Sequence, residues 1–185
     1  MAGTLEDYAA SIRNLIGICR DAEQGFRAAA DAAKDPILKD LFEQYSQQRA
    51  GFASDLQNTV KAMGFEVSHP SGLGGIVHGA WIAVKGAVTG HSDAAILEET
   101  ERGEDWSLKT YREAMAVTLP PELGAVIEQQ YQQVLAAHDH IRTLRNARRA
   151  ASGSPPANGP VEDVVAPPAE TPVAERTPAS ERLAD

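Results

Sequence analysis

At 185 residues with a formal net charge of −9, the chain has room for one domain with a buried core but not for two comfortable ones. The negative balance argues against general nucleic-acid binding, which needs a basic footprint to displace counterions. A single cysteine, Cys19, excludes an internal disulfide framework and fits a reducing compartment.

The opening residues "MAGTLEDYAA" lack the basic-then-apolar order of a signal peptide, so the expected location is cytoplasmic. Thr4 suits a helix N-cap, with Asp7 three residues on in the place of a capping-box acid. Leu5, Tyr8, Ile12, Leu15, Cys19, Phe26 and Ala30 recur at helical steps and predict one apolar stripe. "KDP" at Lys34 to Pro36 ends that helix, because proline disfavours helical geometry in the residue before it. A second helix carries Leu38, Leu41, Tyr45, Phe52, Leu56 and Met63 and stops at Gly64.

The connection from Gly64 to His91 is long enough to travel the length of a helical bundle. Within it Leu73, Val77, Trp81, Val84 and Val88 predict an amphipathic crossover helix. Its unbroken apolar run falls well short of the ~20 residues a membrane span needs. It also lacks the strongly basic face of a surface-bound helix. The breadth of the apolar face around Trp81 predicts a homodimer contact over Leu73–Val88.

A third helix begins near Ser92, a good cap, and carries Leu97, Leu108, Tyr111 and Met115. "LPPEL" is a short turn, with Pro121 suited to the first position of a fourth helix and Glu122 to its positive end. That helix presents Leu123, Ile127, Val134, Ile141 and Leu144. It ends on Arg142, Arg145, Arg148 and Arg149, which read as complements to the helix dipole. Beyond residue 150 the composition changes: the last 35 residues hold seven of the eleven prolines and no aromatic residue. Residues 1–150 are therefore expected to form the folded unit and 151–185 a disordered tail. Two tight turns and one long middle connection specify an all-α, ferritin-like four-helix bundle, in which the helices run up, down, down and up.

Polar residues at seam positions carry the information, because burying them unpaired is costly. They are Glu23 on the first helix, Gln48 and Arg49 on the second, Glu101 and Glu104 on the third, and Gln130 and His138 on the fourth. Counting residues from each turn at ~1.5 Å apiece brings them to one level only in the crossover topology. Glu98, Glu99, Arg102 and Asp105 fall off the seam and are expected in solvent. Gly103 lies beside the layer, where a missing side chain could admit a neighbouring helix.

The segments "CRDAEQGFRAAA", "LFEQYSQQRAGFA", "ERGEDWSLKTY" and "AAHDHIRTLR" resemble an uncharacterised bacterial family of ferritin-like bundles, associated with stress or stationary phase. Ferritin-like di-iron sites take one glutamate from each of two helices and a Glu-x-x-His pair from each of the others. What the resemblance implies is that Glu23 and either Glu101 or Glu104 fit the single glutamates, and His138 fits a histidine. The paired motifs are broken, since helix two offers Tyr45 to Gln48 and helix four offers Leu135 to His138. The standard di-iron set is incomplete, and no motif supports an enzyme.

Two readings stand side by side. Glu23, Glu101, Glu104 and His138, with the amides of Gln48 and Gln130, could hold one iron, manganese or zinc ion. Alternatively they form a metal-free network in which Arg49 answers the carboxylates and competes with any cation. Cys19 reads as a small core residue rather than a redox thiol, and Tyr45 as core rather than a radical site. His69, His78 and His91 have irregular spacing and make no ligand set.

Overall fold

The computed structural model describes residues 5–65, 92–151 and 153, with backbone alone for residues 5–8. The expectations for Thr4, for the crossover helix with Trp81, His69, His78 and His91, and for the tail beyond Gly153 lie outside the described residues.

Among the described residues the secondary structure is four helices: α1 (Leu5–Ala32), α2 (Pro36–Ala62), α3 (Asp93–Met115) and α4 (Pro121–Ala151). Each boundary follows from local chemistry. Asp35 caps α2, its carboxylate accepting the Ile37 N–H at 2.9 Å, while Pro36 occupies a position whose N–H would have no helical partner. At the other end Gly64 has φ of 82°, and the N–H groups of Gly64 and Phe65 bond back to the carbonyls of Lys61 and Val60. This is a Schellman stop, and it needs the left-handed conformation glycine supplies. Ser92 caps α3 by accepting the Ala95 N–H at 3.3 Å. Pro121 opens α4, with Glu122 in its positive first turn.

The helices run up, down, down and up. Both Lys34 N (2.8 Å) and Asp35 N (3.1 Å) donate to the Asp93 carboxylate, so α3 starts at the end where α1 finishes and α2 begins. Arg148, near the end of α4, reaches the same Asp35 and Asp93. Helix α1 packs on α2 and α3, and α4 packs on α3 and, more loosely, on α2.

The core runs the length of the bundle. Ile12, Leu15, Ile16, Phe26, Leu38, Phe42, Leu56, Leu97, Leu123 and Ile141 are all essentially inaccessible. Burying such a side chain contributes about 1.5–3 kcal/mol, which makes this stripe the main source of stability. No helix among the described residues is long and apolar enough to cross a membrane.

Candidate functional site

The layer of seam residues forms, but its members divide into separate partnerships. At its centre Arg49 and Glu104 make an ion pair with side chains 1% and 0% exposed. The guanidinium carbon lies 5.7 Å from the Phe26 ring centroid and 5.2 Å from that of Phe52. Arg49 is thus enclosed by two aromatic rings and a carboxylate, a cation–π cage that partly replaces lost hydration. Another guanidinium N–H donates to Gln48 Oε1, and Gln48 Nε2 donates to Gln133 Oε1 at 3.1 Å. Burial raises the Glu104 carboxyl above its usual range, opposed by the Arg49 charge and its hydrogen bond.

One step toward the arginine-rich end of α4, Glu101 pairs with Arg145 at 2.6 Å. Burial also raises the Glu101 carboxyl, with Arg145 and His138 opposing it. His138 Nε2 lies 2.9 Å from Asp105 Oδ1, and its Nδ1 lies 3.2 Å from Asp139 Oδ1. Ionised carboxylates only accept, so both contacts are satisfied together only when both ring nitrogens carry protons. His138 is accordingly raised above its ordinary value, first through its hydrogen bond to Asp105.

A second polar layer lies deeper along the bundle. Tyr111 OH donates to Gln130 Oε1 at 2.8 Å, and Gln130 Nε2 donates to the Phe52 carbonyl at 3.1 Å. Cys19 Sγ lies 3.2 Å from Tyr111 OH. Burial pushes the Cys19 thiol up to about 11, so it stays protonated at neutral pH, as suits an inert core residue. Burial likewise holds the Tyr111 hydroxyl well above its ordinary value.

Residues 7–117 match the family described as Domain of unknown function (DUF2383). The chain belongs to this family. A solved two-domain protein from Anabaena variabilis, containing DJ-1/ThiJ/PfpI-like and ferritin-like domains, has a TM-score of 0.65 and 12% identity to it. That match covers 87% of this chain and 42% of the other, so this chain spans less than half of its neighbour's length. The likeness establishes a ferritin-like fold. No curated protein matches the chain in sequence.

A ferritin-like fold raises the question of a metal, and the described side chains of this DUF2383 protein do not converge on one. Glu23, expected inward, turns its carboxylate to the rim, where Arg20 (3.0 Å) and Arg27 (3.7 Å) meet it. Its neighbourhood still joins the layer through the backbone, since Ser46 donates to the Glu23 carbonyl at 2.8 Å. Glu104 is bound to Arg49, Glu101 to Arg145, and the His138 nitrogens face carboxylates. Among the described residues no three His, Cys, Asp or Glu side chains gather closely enough to hold an ion. Gln130 belongs to the deeper layer with Tyr111.

Other expectations are corrected in the same way. Asp105 is 56% exposed as expected, yet it is the principal partner of His138; Glu99, also expected in solvent, is only 17% exposed. Arg49 answers Glu104 alone and not Glu23. The arginines ending α4 do more than complement a dipole: Arg148 pairs with Asp35 and Asp93, and Arg149 with Glu98, clasping α4 to the starts of α2 and α3. Arg148 also holds the Asp35 carboxyl below its usual range. The Tyr45 ring packs tilted against Phe26 at 5.3 Å between centroids, as a core residue would, while its hydroxyl bonds His140 Nδ1 at 2.9 Å. Gly103 is buried beside the layer as anticipated.

The raised His138 sets the direction of one pH effect. A group protonated more strongly in the folded state contributes stability below its unfolded value, near 6.5, and loses it as pH rises through the folded value. Chemical-denaturation midpoints should therefore fall as pH rises above 6.5, and His138→Gln should flatten that limb. The raised carboxyls of Glu101 and Glu104 act in the same sense from a lower starting pH, so the wild-type minus variant difference isolates His138. A difference that stays constant from pH 6 to 9 would rule the effect out.

Proposed function

We propose that this protein is a non-enzymatic, metal-free ferritin-like module, in which the Arg49 guanidinium supplies the positive charge that metal-loaded bundles take from an ion. The observation that carries the reading is Arg49 itself, almost wholly buried, ion-paired to Glu104 and caged by Phe26 and Phe52. A cation placed there would meet phenyl faces and one carboxylate instead of the several oxygen and nitrogen donors that iron, manganese or zinc require. A buried charge pair contributes little net stability, but its geometric demands fix helix register. Its role here is to hold four helices in the one alignment that presents their surfaces.

The proposal divides the chain into a bundle over residues 1–150 and a tail over 151–185, with the tail and the 66–91 connection available to partners. It also includes self-association through Leu73–Val88, cytoplasmic residence and a stress-linked role. What supports these is the apolar stripe of the connection, the lone cysteine and the family resemblance respectively.

Metal analysis of full-length protein purified without chelator tests the central claim. Iron, manganese and zinc should each stay well below one ion per chain, before and after incubation with excess metal and desalting. One ion per chain, lost in Glu104→Gln or His138→Ala, would overturn it.

A further inference from the structure

The sequence "QQYQQ" on α4 touches the charge layer only at Gln133, through Gln48. Where α4 lies loosely against α2, Gln130 and Gln133 line a groove of about 340 Å³ that also takes in Asp55, Asn58, Thr59 and Gln129. That volume is at the low end of the roughly 300–1,000 Å³ of small-molecule sites. Four carboxamides in so small a space form an unusual wall. A carboxamide carries two N–H donors and a carbonyl acceptor on a planar, uncharged group, and those of Asn58 and Gln129 are open to a ligand in full.

We propose that the groove between α2 and α4 binds a neutral, hydroxyl-rich small molecule of mono- to disaccharide size. Hydroxyls both donate and accept, and neighbouring hydroxyls on a ring match the paired donor and acceptor of one carboxamide. Anions are disfavoured, because no cationic side chain lines the groove and Asp55 would repel them. Apolar ligands find only Phe52 and Val126, enough to contact one face of a sugar ring and too little to bury a hydrocarbon.

Part of the wall is already fixed before any ligand arrives. Gln130 is 3% exposed and held at both ends of its amide, by the Tyr111 hydroxyl and the Phe52 carbonyl. Gln133 is held through its carbonyl by Gln48, which in turn accepts from Arg49. Groups locked in this way lose little conformational entropy on binding, which favours even a small polar ligand. Asn58 and Gln129, by contrast, make no side-chain hydrogen bond among the described residues and are exposed. They are the groups left to close on the ligand. This proposal is independent of whether the charge layer holds a metal.

Isotope-labelled full-length protein would be titrated with glucose, maltose, trehalose and myo-inositol, following the side-chain amide resonances of Asn58, Gln129 and Gln133. At least one of the four should give saturable shifts confined to these residues and their neighbours. Binding should weaken by about tenfold or more in Asn58→Ala/Gln129→Ala, the cost of roughly two net hydrogen bonds. Both positions are exposed, so an unchanged thermal midpoint would establish that the variant folds. Shifts that rise linearly for all four probes and match those from glycerol would overturn the proposal. So would saturation unchanged in the variant, or saturation by spermidine alone, which would mark a cation groove around Asp55.

Discussion

Arg49→Leu should destabilise the bundle by about 3–5 kcal/mol, because it leaves the Glu104 carboxylate buried without its counter-charge. For a folded unit of this size that corresponds to a fall of about 10 °C in thermal midpoint. The loss arises from stranding the partner and not from any large intrinsic worth of the pair. Glu104 is 0% exposed and Arg49 only 1%, so neither is rehydrated when the other is removed. The cation–π contacts with Phe26 and Phe52 disappear as well, though leucine replaces part of their apolar packing.

The double variant Arg49→Met/Glu104→Leu should recover most of the loss and could exceed the wild type, since apolar replacement removes the cost of dehydrating two charges. If the pair fixes register, the stabilised double variant should lose uniqueness, seen as broadened amide resonances or altered association. A double-variant loss equal to the sum of the Arg49→Met and Glu104→Leu losses would show that the two residues act independently. That outcome would remove the structural role assigned to the layer.

Much of this arrangement was legible in the sequence. Pro36, Gly64, Ser92 and Pro121 placed six of the eight helix ends, because each acts through its own backbone geometry or a local cap. Height was legible too: counting residues from the turns brought Arg49 level with Glu104, and the ion pair joins them. Which way each polar side chain turns was harder, since a small change in helix phase decides between core and rim. For Glu23 a signal was present in Arg20 and Arg27, one helical turn either side, which together draw the carboxylate outward. Asp105 lies off the α3 seam, and only the reach of an imidazole from α4 brings it into the network. The arginines of α4 had a readable counterpart in Glu98 and Glu101. The spacing of Arg145 and Arg149 on an antiparallel helix matches those two acids in reverse order.

Gln130, expected level with the charge layer, instead bonds Tyr111 and Phe52 below it, and its replacement by methionine should cost about 1–3 kcal/mol. Eight residues, or about 12 Å of helix, lie between Gln130 and His138. At that depth its amide joins three helices: it accepts from Tyr111 on α3 and donates to the Phe52 carbonyl on α2. Methionine keeps the length and flexibility of the side chain but offers neither function, so the Tyr111 hydroxyl loses its acceptor. Cys19 Sγ, 3.2 Å away, is only a weak substitute as an acceptor. Adding Tyr111→Phe to Gln130→Met removes the orphaned hydroxyl and should recover part of the loss, whereas Tyr111→Phe alone leaves the Gln130 carbonyl short of a donor. A double-mutant cycle on denaturation free energies measures the coupling. Near-additivity, within about 0.5 kcal/mol, would mean that the hydroxyl and the amide contribute separately to the core. Strong coupling would establish the deeper layer as a buried polar tie from α3 through α4 to α2.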